Sequence, residues 1–204
     1  LELLSQANEL GPAACRPFDR ARDGAVLGEG AVFLMLEERE HALQRGARIR
    51  GEMLGFGAAF DSRRLLRPDA GGREVATAVR AALRDAALEP NRVSYVAAHA
   101  SGTRLGDSSE AAGLSAALGP APVVSSVKAA TGHLGAAAGA LNAAVALLAL
   151  ERQVAPPTLN LLDPDPACPV DAVALQAREV RMQHALAVAR GLEGQCAVLA
   201  FGRA

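Results

Sequence analysis

The sequence predicts an α/β fold in which a parallel sheet is covered by helices on both faces. Two successive units, each an apolar strand, a polar turn and a helix, occupy residues 93–118 and 122–150, and strands alternating with helices in this way imply parallel pairing. The chain of 204 residues is 50% hydrophobic, enough to bury a core, and only 3% aromatic, so alanine and glycine must fill that core. Reactive groups then belong at the carboxyl ends of the strands.

Residues 25–36, AVLGEGAVFLML, read as a mostly buried strand between the turn-forming RPFDRARDG and the charged EEREHALQRGA, which reads as a short helix ending at Gly46. A second extended segment covers 47–57. The Arg-rich loop at 60–72 is suited to cover a site. In the helix expected at 73–88, Val75, Val79, Ala82, Leu83 and Ala86 recur at steps of three and four and mark one buried face.

The strand VSYVAA at 93–98 runs into the polar turn HASGTRLGD and a helix at 108–118. The pattern repeats with a strand at 122–127, the turn SVKAATGH and an apolar helix at 134–150. That last run carries no charge, but Gly135, Gly139 and Asn142 interrupt it and its length only touches the minimum for a bilayer span, so it reads as a core helix. Residues 154–169 are proline-rich and read as an extended surface connection. Strand-like stretches at 173–182 and 196–201 suggest a hairpin-like pair returning to the sheet edge.

Composition excludes several functions. With 21 basic and 22 acidic residues the net charge is -1, which leaves nucleic-acid binding without its electrostatic source. One Tyr and no Trp remove stacking platforms and membrane belts. Cys15, Cys168 and Cys196 are scattered, without the spacing of a disulfide framework or a metal site, and the cytosol is the expected compartment. The opening LELLSQANEL begins with Leu1 and lacks the features of a signal peptide, so the chain is expected to begin part way through something larger.

Lys128 is the only lysine among 21 basic residues. An ammonium is compact and its pKa is tunable, whereas a guanidinium is a wide fork that stays charged, so a lone lysine in an arginine-rich chain marks a position to inspect. Two of the four histidines, His99 and His133, fall in the two strand-end turns. Two imidazoles and an ammonium converging at one sheet edge would bind and polarise an anionic group, aided by backbone N–H groups around Gly132 and Gly135. His41, beside three glutamates, and His184, between two strands, read as ordinary solvated residues. Gly28 and Gly30, or Gly135 and Gly139, lack the GxGxxG order of a dinucleotide site.

Four segments, CRPFDRARDGAVLGEGA, AHASGTRLGDSSEA, SSVKAATGHLGAAAGA and PPTLNLLDPDP, occur in an order that resembles the second half of a β-ketoacyl synthase of the thiolase-like superfamily. The resemblance implies the C-terminal half of a five-layer αβαβα sandwich. Residues 1–60 would be the tail of the N-terminal half and 61–204 the C-terminal half. It further implies decarboxylative Claisen condensation of an acyl thioester with malonyl-acyl carrier protein in fatty acid or polyketide biosynthesis. His99 and His133 would polarise the malonyl thioester carbonyl and stabilise the enolate. Lys128 would pair with Glu110 to hold the histidines in register, and Ser101 and Thr103 would hydrogen-bond the phosphopantetheine arm. No cofactor or metal of the chain's own is implied, since that arm is carried by the acyl carrier protein. The expected partners are the carrier protein and another ketosynthase-fold chain, in a homodimer or heterodimer.

Two departures accompany the resemblance. The family's nucleophilic cysteine lies upstream of the RPFD motif, and the three cysteines present are expected to lie away from both turns. VARGLEG, residues 188–194, stands where the family carries NSFGFGG, so Arg190 or Leu192 replaces its gating phenylalanine and brings a charge near the acyl path. These departures support an alternative: a non-condensing partner subunit resembling a chain-length factor.

Overall fold

The computed structural model describes residues 3–62, 67–119 and 122–204. In chain order the elements are α1 (Arg39–Gln44), β1 (Glu52–Phe60), α2 (Arg73–Asp85), β2 (Val93–Ala97), α3 (Arg104–Leu118), β3 (Val123–Ser125), the single turn α4 (Lys128–Thr131) and α5 (Ala138–Arg152). Five strands follow: β4 (Val154–Ala155), β5 (Asp171–Ala172), β6 (Arg178–Glu179), β7 (His184–Arg190) and β8 (Gln195–Gly202). Six strands form one sheet in the order β1-β8-β7-β2-β3-β5, and β4 pairs with β6 separately.

β2 and β3 pair in parallel as expected, and β7 beside β2 and β5 beside β3 extend this parallel part in a way the sequence reading did not place. The sheet as a whole is mixed, because β8 runs antiparallel to both β7 and β1. Alternation along each strand builds two cores. Val96, Leu186 and Val188 join Val75, Val79, Leu83 and Leu114 of α2 and α3 on one face. Tyr95, Ala97, Ala185 and Ala187 join Ala143, Ala146 and Leu150 of α5 on the other. Small residues let the layers approach closely: a Cβ on Gly57 of β1 would collide with the Ala78 carbonyl of α2. Gly72, at φ +61 before α2, sits so near Ser109 and Gly113 of α3 that only glycine meets both demands.

Two expected strands are corrected. Within residues 25–36 only Ala25 and Leu27 make bridges, isolated ones to Leu4 and His133. The rest has no ladder, and Phe33 and Met35 are 92% and 94% exposed. An apolar run specifies a strand only where a neighbouring strand can take its hydrogen bonds, and none does so among the described residues. At 173–182 only Arg178–Glu179 is strand, and Leu175, at φ +56, breaks the extended path. The hairpin partner of β8 is instead β7, and it lies in the middle of the sheet between β8 and β2, not at an edge. His184 accordingly opens β7, with Nδ1 3.2 Å from the Arg92 carbonyl.

Helices were more legible. α1 and α2 fall where the sequence placed them. α3 begins four residues earlier than expected, which draws Asp107 into its first turn. The turn SVKAATGH contains α4, and a 3₁₀ turn at Gly135–Ala137 precedes α5. Arg63, Arg64, Leu65 and Leu66 of the expected covering loop lie outside the described residues. Among the described residues no helix is long and apolar enough to cross a membrane.

Phe33, Met35 and Leu36, with Met53, Phe56 and Phe60 of β1, give this chain a set of exposed large apolar side chains. Apolar surface of this kind drives association. The isolated chain should therefore sediment as a self-associated species, and serine at Phe33 and Met35 should move it toward monomer; a stable monomer of the unmodified chain would remove the argument.

Candidate active site

The two strand-end turns meet. β2 delivers His99 just past its carboxyl end, and the chain leaving α4 delivers His133, so that the imidazole centroids stand 5.3 Å apart with the rings inclined by 74°. His133 is fixed from the other side by segment 26–28: its N–H donates to the Val26 carbonyl at 2.7 Å and its carbonyl accepts from Gly28 at 3.2 Å. Gly132, at φ +73, and Gly135, at φ +58, make that turn possible.

Each imidazole accepts a backbone hydrogen bond on Nδ1. The donor to His99 is the N–H of Arg190, at 3.2 Å, and the donor to His133 is the N–H of Gly135, at 3.0 Å. The Gly135 amide expected to await an anion is thus spent on orienting the histidine. A neutral imidazole that accepts at Nδ1 carries its proton on Nε2. Burial first, then the Lys128 charge, the neighbouring His133 ring and the Arg190 charge, hold His99 well below the usual histidine range. Burial and Lys128 lower His133 in the same way. With Nδ1 occupied, each neutral ring is left with Nε2–H as its one donor.

The peptide of His99 is held from both ends. Glu110 of α3 accepts the N–H groups of His99 and Ala100, each at 2.7 Å. Lys128 Nζ donates to the His99 carbonyl. Lys128 and Glu110 form no ion pair; they are joined through the peptide they share, which corrects the direct pairing implied by the resemblance. The sequence showed the charges but not that an intervening backbone had more donors and acceptors to satisfy. Both side chains are buried, and burial is the main cause that pushes the Lys128 ammonium down to about 8 against the opposing pull of Glu110, Asp107 and Cys15. Burial likewise raises Glu110 above the ordinary carboxylate range.

Asp107, Arg22 and Asn142 carry much of this geometry and were not singled out in the sequence. Asp107 accepts the N–H groups of Phe18 and Ser101, both at 2.9 Å, and of Gly102 at 3.1 Å. Its carboxyl, pushed up to about 6 mainly by burial, lies 3.9 Å from the Arg22 guanidinium, which also binds Asp165 at 2.5 Å. Asn142, read as an interruption in an apolar run, donates to the Ala98 and Val188 carbonyls at 3.0 and 2.8 Å and so joins α5 to β2 and β7. An amide in an otherwise chargeless core helix was the available signal.

Two cavities open beside His99. One of 520 Å³ is lined by His99, Ser101, Thr103, Leu105, Arg190 and Leu192, among others. The Ser101 and Thr103 hydroxyls stand 3.3 Å apart there. The other, of 620 Å³, is lined by His99 and His133 with Leu27, Gly135, Gly139 and Ala189. None of Cys15, Cys168 and Cys196 lines either cavity, although Cys15 lies closer to the site than expected, within electrostatic reach of Lys128 and Asp107. Burial pushes the Cys168 and Cys196 thiols up to about 12 and raises Cys15, so all three stay protonated at neutral pH. The Arg190 side chain turns inward to Glu74 and carries no free charge into the expected acyl path. His41 is exposed and paired with Glu37. No cluster of three potential metal ligands occurs among the described residues.

The histidine shifts have a thermodynamic consequence. A lowered histidine pKa means that the unfolded chain takes up protons first, so stability is fully present above about 6.5 and falls as pH drops below it. Asp107 acts oppositely, since its raised carboxyl favours the folded state as pH falls through 6. Comparing melting temperatures of the parent and the His99→Gln/His133→Gln variant from neutral to acid pH cancels the Asp107 contribution. The variant should lose less on acidification; equal losses would show that neither histidine is held neutral.

Comparison with known proteins places the chain in a family. The β-ketoacyl synthase C-terminal domain model matches residues 50–162 and the N-terminal domain model residues 1–42. The chain is 42% identical over 202 residues to 3-oxoacyl-[acyl-carrier-protein] synthase 2 of Vibrio harveyi, covering 97% of this chain and 49% of that protein. It is 43% identical over 197 residues to an oxytetracycline polyketide putative β-ketoacyl synthase 1 of Streptomyces rimosus, covering 95% and 46%. Among solved structures, a type II polyketide ketosynthase in complex with its acyl-carrier protein matches with a TM-score of 0.95 at 34% identity, over 100% of this chain and 50% of that one. The ishigamide ketosynthase/chain length factor matches with a TM-score of 0.92 at 36% identity, over 100% and 49%. The chain thus spans about half the length of the relatives it matches. With a domain match over more than half its residues and the thiolase-like sheet and layers in place, this chain belongs to the β-ketoacyl synthase family.

Proposed function

We propose that this chain forms the second half of a β-ketoacyl-acyl carrier protein synthase and supplies the oxyanion donors for decarboxylation of a malonyl thioester. The observation that carries the reading is the pair of imidazoles, each accepting at Nδ1 and so each presenting Nε2–H, beside two cavities. When malonyl loses carbon dioxide, the electron pair of the broken C–C bond passes to the α-carbon and the thioester oxygen. Two neutral N–H donors aimed at that oxygen stabilise the enolate without first having to release a proton. The enolate carbon then attacks the carbonyl carbon of the acyl thioester, and the new C–C bond forms as the acyl C–S bond breaks and its sulfur leaves as thiolate.

Ser101 and Thr103 hold the phosphopantetheine arm in this reading, with the acyl carrier protein as the partner that brings it. Lys128 and Glu110 act on His99 through its peptide. The protein works in the cytoplasm as a homodimer or heterodimer with another ketosynthase-fold chain, in fatty acid or polyketide biosynthesis. The test is release of carbon dioxide from malonyl-acyl carrier protein by the protein assembled with a ketosynthase N-terminal half.

A second reading is favoured by the 190–194 turn, where Arg190 and Leu192 stand in place of the family's glycine-rich loop, and by the likeness to a ketosynthase/chain length factor. In it the chain shapes the acyl tunnel of an active partner. No decarboxylation, together with an altered product length in the partner, would select it.

A further inference from the structure

Arg190 departs from the resemblance, and its side chain is used inside the fold. The parallel pairing of β2 with β7 ends at Ala97 and Ala187. Three residues later the Arg190 N–H meets the His99 ring, donating to Nδ1 at 3.2 Å. Its guanidinium donates to the Gly106 carbonyl at 2.8 Å and the Ser109 hydroxyl at 3.2 Å, both on α3, and forms an ion pair with Glu74 in the first turn of α2. The Glu74 side chain is 3% exposed, and its Oε2 has no hydrogen-bond partner among the described residues. Such a pair is costly to bury, and its geometry joins three elements at one point.

We propose that Arg190 is a positioning residue for His99: its pairing with Glu74 anchors the end of β7 to α2 and α3, so that its backbone N–H occupies Nδ1 and Nε2–H is left as the donor toward the cavities. The proposal rests on the reading of His99 as an oxyanion donor. The groups around His99 are Lys128 of α4, His133 beyond it, Glu110 of α3 on its backbone, and Arg190 with Glu74. Arg190, with Lys128 and the His133 ring, opposes a second proton on the ring, after burial itself.

The test reads the tautomer directly, by ¹⁵N spectroscopy of the full chain labelled at histidine. Only four histidines are present, and His99→Gln identifies the signals of His99. The parent should show one tautomer, with Nδ1 bare and Nε2 protonated. Replacing the pair together, as Glu74→Leu with Arg190→Met, leaves no orphan charge and is the substitution most compatible with folding. In that variant the single-tautomer signature should be lost and the titration midpoint of His99 should rise. Glu74→Gln, which keeps the side-chain volume, should also lose the signature and decides the matter if the double variant does not fold. An unchanged tautomer in the folded variant overturns the proposal. An intact tautomer lock in the parent with no effect of His99→Ala on decarboxylation would instead overturn the functional reading alone.

Discussion

His99→Ala and His133→Ala should each slow malonyl-thioester decarboxylation by about a hundredfold or more, the loss that follows removal of one preorganised oxyanion donor. The argument is geometric. Each ring has its Nδ1 committed to a backbone amide, so alanine removes the only donor that ring can turn toward a substrate. The rings sit 5.3 Å apart and act on the same developing charge, so the double variant should fall well short of the product of the single effects. Single-turnover release of carbon dioxide from malonyl-acyl carrier protein, by the assembled protein, measures this free of product release. Unchanged rates in both single variants would assign the histidines to structure and favour the partner-subunit reading.

The site was legible where chemistry is local to a turn. His99, Lys128 and His133 follow short apolar strands in a chain with four histidines and one lysine, and residue type and placement together were enough to single them out. What the sequence could not show was how the backbone mediates between them. Glu110 is eleven residues beyond His99 and a carboxylate there could equally have met the Lys128 ammonium; the structure has it accept two amides instead. Asp107 and Arg22 are separated by eighty-five positions, so no spacing could have joined them. Strands were read less well than helices for a related reason. The periodicity of α2 is a property of its own residues, whereas 25–36 has strand composition and no neighbour to pair with, and β7 owes its central place to β2 and β8.

The largest stability effect should fall on the Glu110–His99–Lys128 connection. Glu110→Ala leaves the amides of His99 and Ala100 without an acceptor, and an orphaned buried donor costs about 1–3 kcal/mol each. It also removes the carboxylate that draws on the buried Lys128 ammonium, so the total should approach or exceed roughly 3–5 kcal/mol, the cost of leaving a buried charge uncompensated. Against a stability of about 5–15 kcal/mol for a domain, that is enough to unfold a marginal protein. Glu110→Gln should be milder but not neutral, because one end of the amide is a donor and faces an N–H. Lys128→Arg should not be conservative either: a planar guanidinium cannot take an ammonium's place under the His99 carbonyl without displacing the turn that carries His99. Since both side chains act on one peptide, the pair should couple, with an interaction energy of about 0.5–3 kcal/mol in a double-mutant cycle of Lys128→Arg and Glu110→Gln. Melting curves of the assembled protein supply the four values. Strictly additive losses would mean that the shared peptide transmits nothing, and the lone lysine would then be only a survivor of the chain's arginine bias.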